Sequence, residues 1–191
     1  MEEMVAWASG TRMERLLSEM SDREATCLLA SPENYKRTVL DTVKCIAEKP
    51  NMRGVFVSAT MTFGQAVAKM EQAGVDMSRL SVIDFVMLGM LGGDNPPAKG
   101  DLPAPLLRLE REIEMTVAHS GANYVLFDSV DALFTFEDAE SVERFFHEVL
   151  DNLRARGVLC IAVDQAGGTR WREESAAREL FGVVKTDCLA R

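Results

Sequence analysis

Five short apolar runs, each separated from the next by a stretch of helical periodicity, constrain this chain most. They are Ala25–Ala30, Gly54–Ala59, Leu80–Val86, Tyr124–Phe127 and Val158–Val163. Runs this short and this apolar mark strands that are buried on both faces. Between them, Ser31–Glu48, Thr62–Ala73, Leu106–His119 and Asp138–Arg156 carry helical spacing. Strand–helix alternation of this kind builds a mainly parallel sheet with helices on both sides, a three-layer α/β/α sandwich. A chain of 191 residues suits one such domain. Residues 1–191 therefore read as a single domain, with an N-terminal helical segment over about residues 1–22. Thr11 is the expected N-cap there, and Glu14 closes a capping box.

Punctuation residues set the boundaries. Ser31 is the expected N-cap of the first long helix, Pro32 its first helical position and Glu33 its first turn. Gly74, Gly121 and Gly157 stand where helices should stop. Val142, Phe145, Phe146, Val149, Leu150 and Leu153 form one apolar stripe on the last helix. Gly92–Pro105 holds four of the six prolines and three glycines, so it is predicted to be a loop. After a polar stretch, Gly182–Ala190 is expected to give one or two final strands.

Composition narrows the function classes. A formal charge of −9 disfavours nucleic acid, whose phosphates need Lys and Arg. No run of 18 apolar residues predicts a membrane span, and the start MEEMVAW lacks the basic region of a secretory signal. The expected location is the cytoplasm. The four cysteines form no C-x-x-C pair. Cys27, Cys160 and Cys188 fall in expected strands and Cys45 on a helix, so they read as small buried hydrophobes, not a zinc site. Eleven Met residues read as packing. His119 near a helix end and His147 beside the apolar stripe fit structural roles better than catalysis.

The run Tyr124–Phe127 ends on Asp128 and then Ser129. Functional groups in α/β sheets gather at the carboxyl ends of strands, and an Asp there holds Mg²⁺ in nucleotide-hydrolysing enzymes. The segment therefore reads as a Walker B strand. A lone carboxylate in that place is more often held by local hydrogen bonds. Asp131 and Asp164 stand near the same edge. Turn and cap roles suit them best, with an oxygen-ligated cation as the alternative.

The order of these elements resembles the RecA-like core of the P-loop NTPase superfamily, and within it the KaiC and archaeal RadB-like branch. Three stretches carry the resemblance: VLFDSVDAL, the stretch Phe63–Phe85, and CIAVDQAGG, whose Gln165 matches a polar sensor at a strand end. It spans roughly Ala25–Ala190. It implies a RecA-like sheet, and a nucleotide or metal site at the carboxyl edge that involves Asp128, Ser129 and Gln165.

Two departures cut against activity. No G-x-x-x-x-G-K-[ST] cradle occurs in the chain. The matching junction, Ser31–Asn34, has no glycine to turn backbone N–H groups toward phosphate. Pro32 lacks a donor, Glu33 is anionic, and Lys36 and Arg37 lie inside the helix. The resemblance also implies a water-activating Glu at the end of the second strand, where this chain has Ser58-Ala59-Thr60-Met61. The expectation is a pseudo-ATPase: a module without catalytic residues or a required cofactor, acting through a protein partner or a homo-oligomer. The alternative is a protein that binds ATP and Mg²⁺ through an altered site. Arg170-Trp171-Arg172 has the composition of an interface hot spot, although a Trp covering the sheet edge fits equally well.

Overall fold

The computed structural model describes residues 25–90, 102–166 and 181–185. Among the described residues six strands form one sheet: β1 Ala25–Ala30, β2 Gly54–Ser58, β3 Leu80–Asp84, β4 Tyr124–Asp128, β5 Leu159–Gln165 and β6 Gly182–Lys185. Their order is β3-β2-β4-β5-β1-β6, and every pairing is parallel. The helices are α1 Tyr35–Ala47, α2 Phe63–Gln72, α3 Phe85–Met90, α4 Ala104–Ser120, α5 Val130–Leu133 and α6 Ala139–Ala155.

Strand side chains alternate between two apolar layers. Val125 and Phe127 of β4 join Leu106, Ile113, Phe145 and Phe146 beneath α4 and α6. Tyr124 and Leu126 join Val39, Val43, Ala66 and Met70 beneath α1 and α2. The sheet is thus covered on both faces, which is why its central strands are mostly apolar. Gly54 faces Tyr124 across the β2–β4 pair, and the Tyr124 ring fills the space that a side chain at Gly54 would need. Its phenol is buried without a hydrogen-bond partner.

Gly121 and Gly157 follow α4 and α6 with φ of 64° and 66°. Their left-handed backbone is the reason glycine stands there. Asp138 caps α6 by accepting from the Ser141 N–H at 3.0 Å. Its hydrogen bonds from Ser141 hold the Asp138 carboxyl below the usual range.

Several boundaries differ from the sequence expectation, among them two helix starts and one strand end. First, α1 begins at Tyr35, not at Pro32. Asn34 N–H donates to the Ser31 carbonyl at 2.9 Å, which closes a β-turn with Pro32 at its second position. Proline's fixed φ suits that turn position as well as it suits a helix start. Second, the third strand stops at Asp84, and Phe85 and Val86 belong to α3. Asp84 causes the switch: its Oδ1 accepts from Met87 N–H at 2.9 Å and its Oδ2 from Phe63 N–H at 2.6 Å. One carboxylate thereby caps the first turns of both α2 and α3. Third, α4 starts at Ala104, so Ala104 and Pro105 leave the expected loop.

Cys27 and Cys160 are buried in strands and Cys45 is on α1. Burial pushes the Cys27 and Cys160 thiols well above their ordinary range. Among the described residues no helix is long and apolar enough to cross a membrane. Residues 1–22, most of the Gly92–Pro105 loop, Arg170-Trp171-Arg172 and Cys188 lie outside the described residues.

Candidate functional site

The carboxyl ends of the central strands bring the sequence's candidate residues into one region. Asp84, Ser58 and Asp128 stand in register across β3, β2 and β4. Asp128 aligns with Val163 of β5, so Asp164 extends one residue further. Gln165 ends β5, pairs with Ala30 and is exposed.

Asp128 is 1% exposed. A carboxylate taken so far from water needs hydrogen-bond donors. It finds two. The Tyr35 hydroxyl donates to Oδ1, and the Thr60 hydroxyl donates to Oδ2 at 2.8 Å. Burial raises the Asp128 carboxyl above the usual carboxylate range, while the two hydroxyl donors and Lys69 oppose that rise. Tyr35 is pushed far above the ordinary phenol range by burial and then by the Asp128 charge, so it is a neutral donor.

The positions of the donors matter. Tyr35 is the first residue of α1, immediately after the Ser31–Asn34 junction where the resemblance implies a phosphate cradle. Thr60 lies in the Ser58–Met61 stretch where it implies a catalytic Glu. Ser58 itself is fully buried; its hydroxyl donates to the Met61 carbonyl at 2.9 Å and accepts from Met61 N–H at 3.0 Å. One divergent stretch and the residue that follows the other thus each supply one hydroxyl to the same carboxylate. Sequence reading passed over both residues, because a Tyr in a helix and a Thr in a loop carry no signal until a distant acceptor is known.

Ser129 caps α5, its Oγ accepting from Ala132 N–H at 3.2 Å. Its hydroxyl also lies against both Tyr35 and Asp164, lowering the ionisation range of each. Asp164 is 1% exposed and accepts from Asp131 N–H at 3.3 Å through Oδ1. Turn and cap contacts therefore account for much of what Ser129 and Asp164 do. Among the described residues no group of three His, Cys, Asp or Glu side chains is placed to hold a metal ion.

No protein-family model matches the chain, and no curated protein matches it. Solved structures do. A KaiC-like protein from the hyperthermophilic archaeon Pyrococcus horikoshii OT3 superposes with a TM-score of 0.62 at 17% identity. The match covers 84% of this chain and 69% of that one. Identity this low speaks to architecture alone, and with the parallel six-stranded sheet it shows that the chain has a RecA-like fold of the KaiC-like kind.

Proposed function

We propose that this chain is a non-catalytic RecA/KaiC-like module, a pseudo-ATPase acting in regulation or scaffolding through contacts with other proteins. One observation supports this reading above the rest. Both oxygens of the Walker B-like Asp128 are engaged by hydroxyls of the chain itself, at Tyr35 and Thr60. A metal or nucleotide would have to displace donors that already satisfy a buried charge, and breaking such bonds is costly. Tyr35, next to the Ser31–Asn34 junction, and Thr60, within Ser58–Met61, thus occupy the carboxylate that a ligand would need.

The test is a phosphate-release assay on pure protein with Mg-ATP and Mg-GTP. The expected rate equals buffer background. Turnover that disappears in Asp128→Asn, with folding intact, contradicts the reading.

Protein contact draws support from large apolar side chains left in solvent. Phe63 is 55% exposed and Met90 72% exposed. The Phe63 and Met87 amides are both bound by Asp84, so the first turns of α2 and α3 converge there. Methionine-bearing surfaces adapt readily to partners. The Arg170-Trp171-Arg172 segment remains the proposed hot spot. Sedimentation across concentration should show self-association or a partner complex that weakens about thirtyfold in Trp171→Ala, as loss of a central interface Trp costs ~2 kcal/mol. A wild type that stays monomeric and a variant that retains every contact of the wild type would remove the segment's role.

A further inference from the structure

Four large apolar side chains left in solvent come from three separate parts of the chain: Phe63 on α2, Met87 and Met90 on α3, and Phe136 after α5. Hydrogen bonds and ring contacts gather them into one patch. Asp84 accepts from both the Phe63 and the Met87 N–H, so the first turns of α2 and α3 lie side by side. Met87 and Met90 are three positions apart and share a face of α3. The Phe136 ring lies on α3 at Gly89, where a side-chain carbon on residue 89 would come within 3.3 Å of it. It also meets the buried Phe85 ring edge to face at 5.4 Å. Phe136 is nonetheless 43% exposed. A ring held on one side and open on the other loses little freedom when a partner covers it.

Charge selects the occupant. Residues 59–66, 84–90 and 130–142, which build the patch, contain five carboxylates and no Lys, Arg or His. Glu137 and Asp138 directly follow Phe136, and burial and then the Asp138 charge raise the Glu137 carboxyl above its usual range. Lys69, further along α2, acts on Asp128. The rim of the patch is therefore acidic. A second copy of this chain carries −9, and the chain's own residues 1–24 hold six acidic side chains against three basic ones. Each of these meets like charge at the rim, which disfavours it. We infer that the patch of Phe63, Met87, Met90 and Phe136 docks a basic amphipathic helix of another protein. Its apolar stripe covers these four side chains, and its Lys or Arg flanks face the acidic rim. Converging helix turns present side chains, not open strand backbone, and so suit the apolar face of a helix. Methionine adapts to such a face. The inference names a partner chemistry for the protein-contact reading and rests on that reading.

The experiment is a methionine-methyl NMR titration of the full chain, with the Met87, Met90 and Met115 signals assigned through Met→Leu variants. The probe is a short peptide of Leu and Lys in amphipathic helical order. Its controls are the same peptide with Glu for Lys, and a peptide of residues 1–24. The Met87 and Met90 methyls should shift saturably with the Lys peptide. Met115, as exposed as Met87 but on α4, should not shift. Gly64→Arg places bulk and the peptide's own charge beside Phe63, where nothing lies within 4 Å, so the fold keeps its contacts. It should weaken binding by about tenfold or more. A wild type without saturable shifts overturns the proposal, as do shifts that include Met115 or an unchanged affinity in Gly64→Arg. Tighter binding of either control peptide also overturns it. So do Met87 and Met90 shifts that follow protein concentration without peptide, which assign the patch to a second copy. A patch that binds no peptide while Trp171→Ala still weakens a complex sinks this docking site alone; failure of both sinks the protein-contact reading.

Discussion

Phe146→Ala is expected to lower the stability of the fold by about 3–5 kcal/mol, the range for emptying a buried aromatic site. Phe146 is 1% exposed on the inner face of α6. Its ring meets three others edge to face: Phe127 at 5.2 Å, Phe145 at 5.1 Å and Phe181 at 5.3 Å between centroids. Such arrangements add to area burial because a positive ring edge meets a negative face. Phe127 comes from β4 and Phe181 directly precedes β6, so one side chain ties α6 to two widely separated parts of the sheet. A cavity there cannot collapse without moving a strand. Domains of this size carry only about 5–15 kcal/mol in total, so the loss is a large share of the whole. Urea unfolding should show a lower midpoint with an unchanged slope. A change below about 1 kcal/mol would mean that the aromatic cluster is not central to the core.

Tyr35→Phe is the second large effect, expected to cost about 1.5–3 kcal/mol at neutral pH, the worth of a hydrogen bond to a charged group. The ring still fills its place against Val39 and the α1 layer, so packing is preserved. What disappears is the hydroxyl that donates to Asp128 Oδ1. Thr60 then remains as the other donor to that carboxylate. Because the Tyr35 bond lowers the ionisation range of Asp128, its removal raises that range further. The cost should therefore be largest at higher pH, where Asp128 is ionised, and shrink as pH falls and the carboxyl takes up a proton. Unfolding curves of both proteins at several pH values check the prediction. A penalty that is absent, or that grows toward acid, contradicts the assigned role of Tyr35.

The strands were legible in the sequence because burial on both faces leaves few polar interruptions. Tyr124–Phe127 ends one residue short of the observed β4, and Ala25–Ala30 matches β1. Where the reading slipped, two physical roles competed for one residue. Pro32 suits a turn as well as a helix start, and Ser31 with Asn34 decided for the turn. The apolar run Leu80–Val86 contained its own stop signal, the Asp84 carboxylate that caps α3. The strand order, with β1 between β5 and β6, has no local signature at all.

The site was half legible. Asp128 and Ser129 stand out because a polar pair ends an apolar run, and hydrogen bonds within the chain do hold Asp128. Their partners were invisible, since Tyr35 lies 93 positions and Thr60 68 positions from Asp128. Gln165 reaches the same edge but faces solvent. The absent glycines and the absent Glu told what the chain lacks. Only the folded arrangement shows that Tyr35 and Thr60 donate to the Asp128 carboxylate.

Calorimetric titration of Mg-ATP and Mg-GTP into the pure wild-type protein, with Tyr35→Phe beside it, tests the closed site most directly. The pseudo-ATPase account predicts no saturable heat with either nucleotide in the wild type. Saturable binding that is lost in Asp128→Asn while the fold survives would contradict it, and would show that Tyr35 and Thr60 yield their acceptor to a ligand.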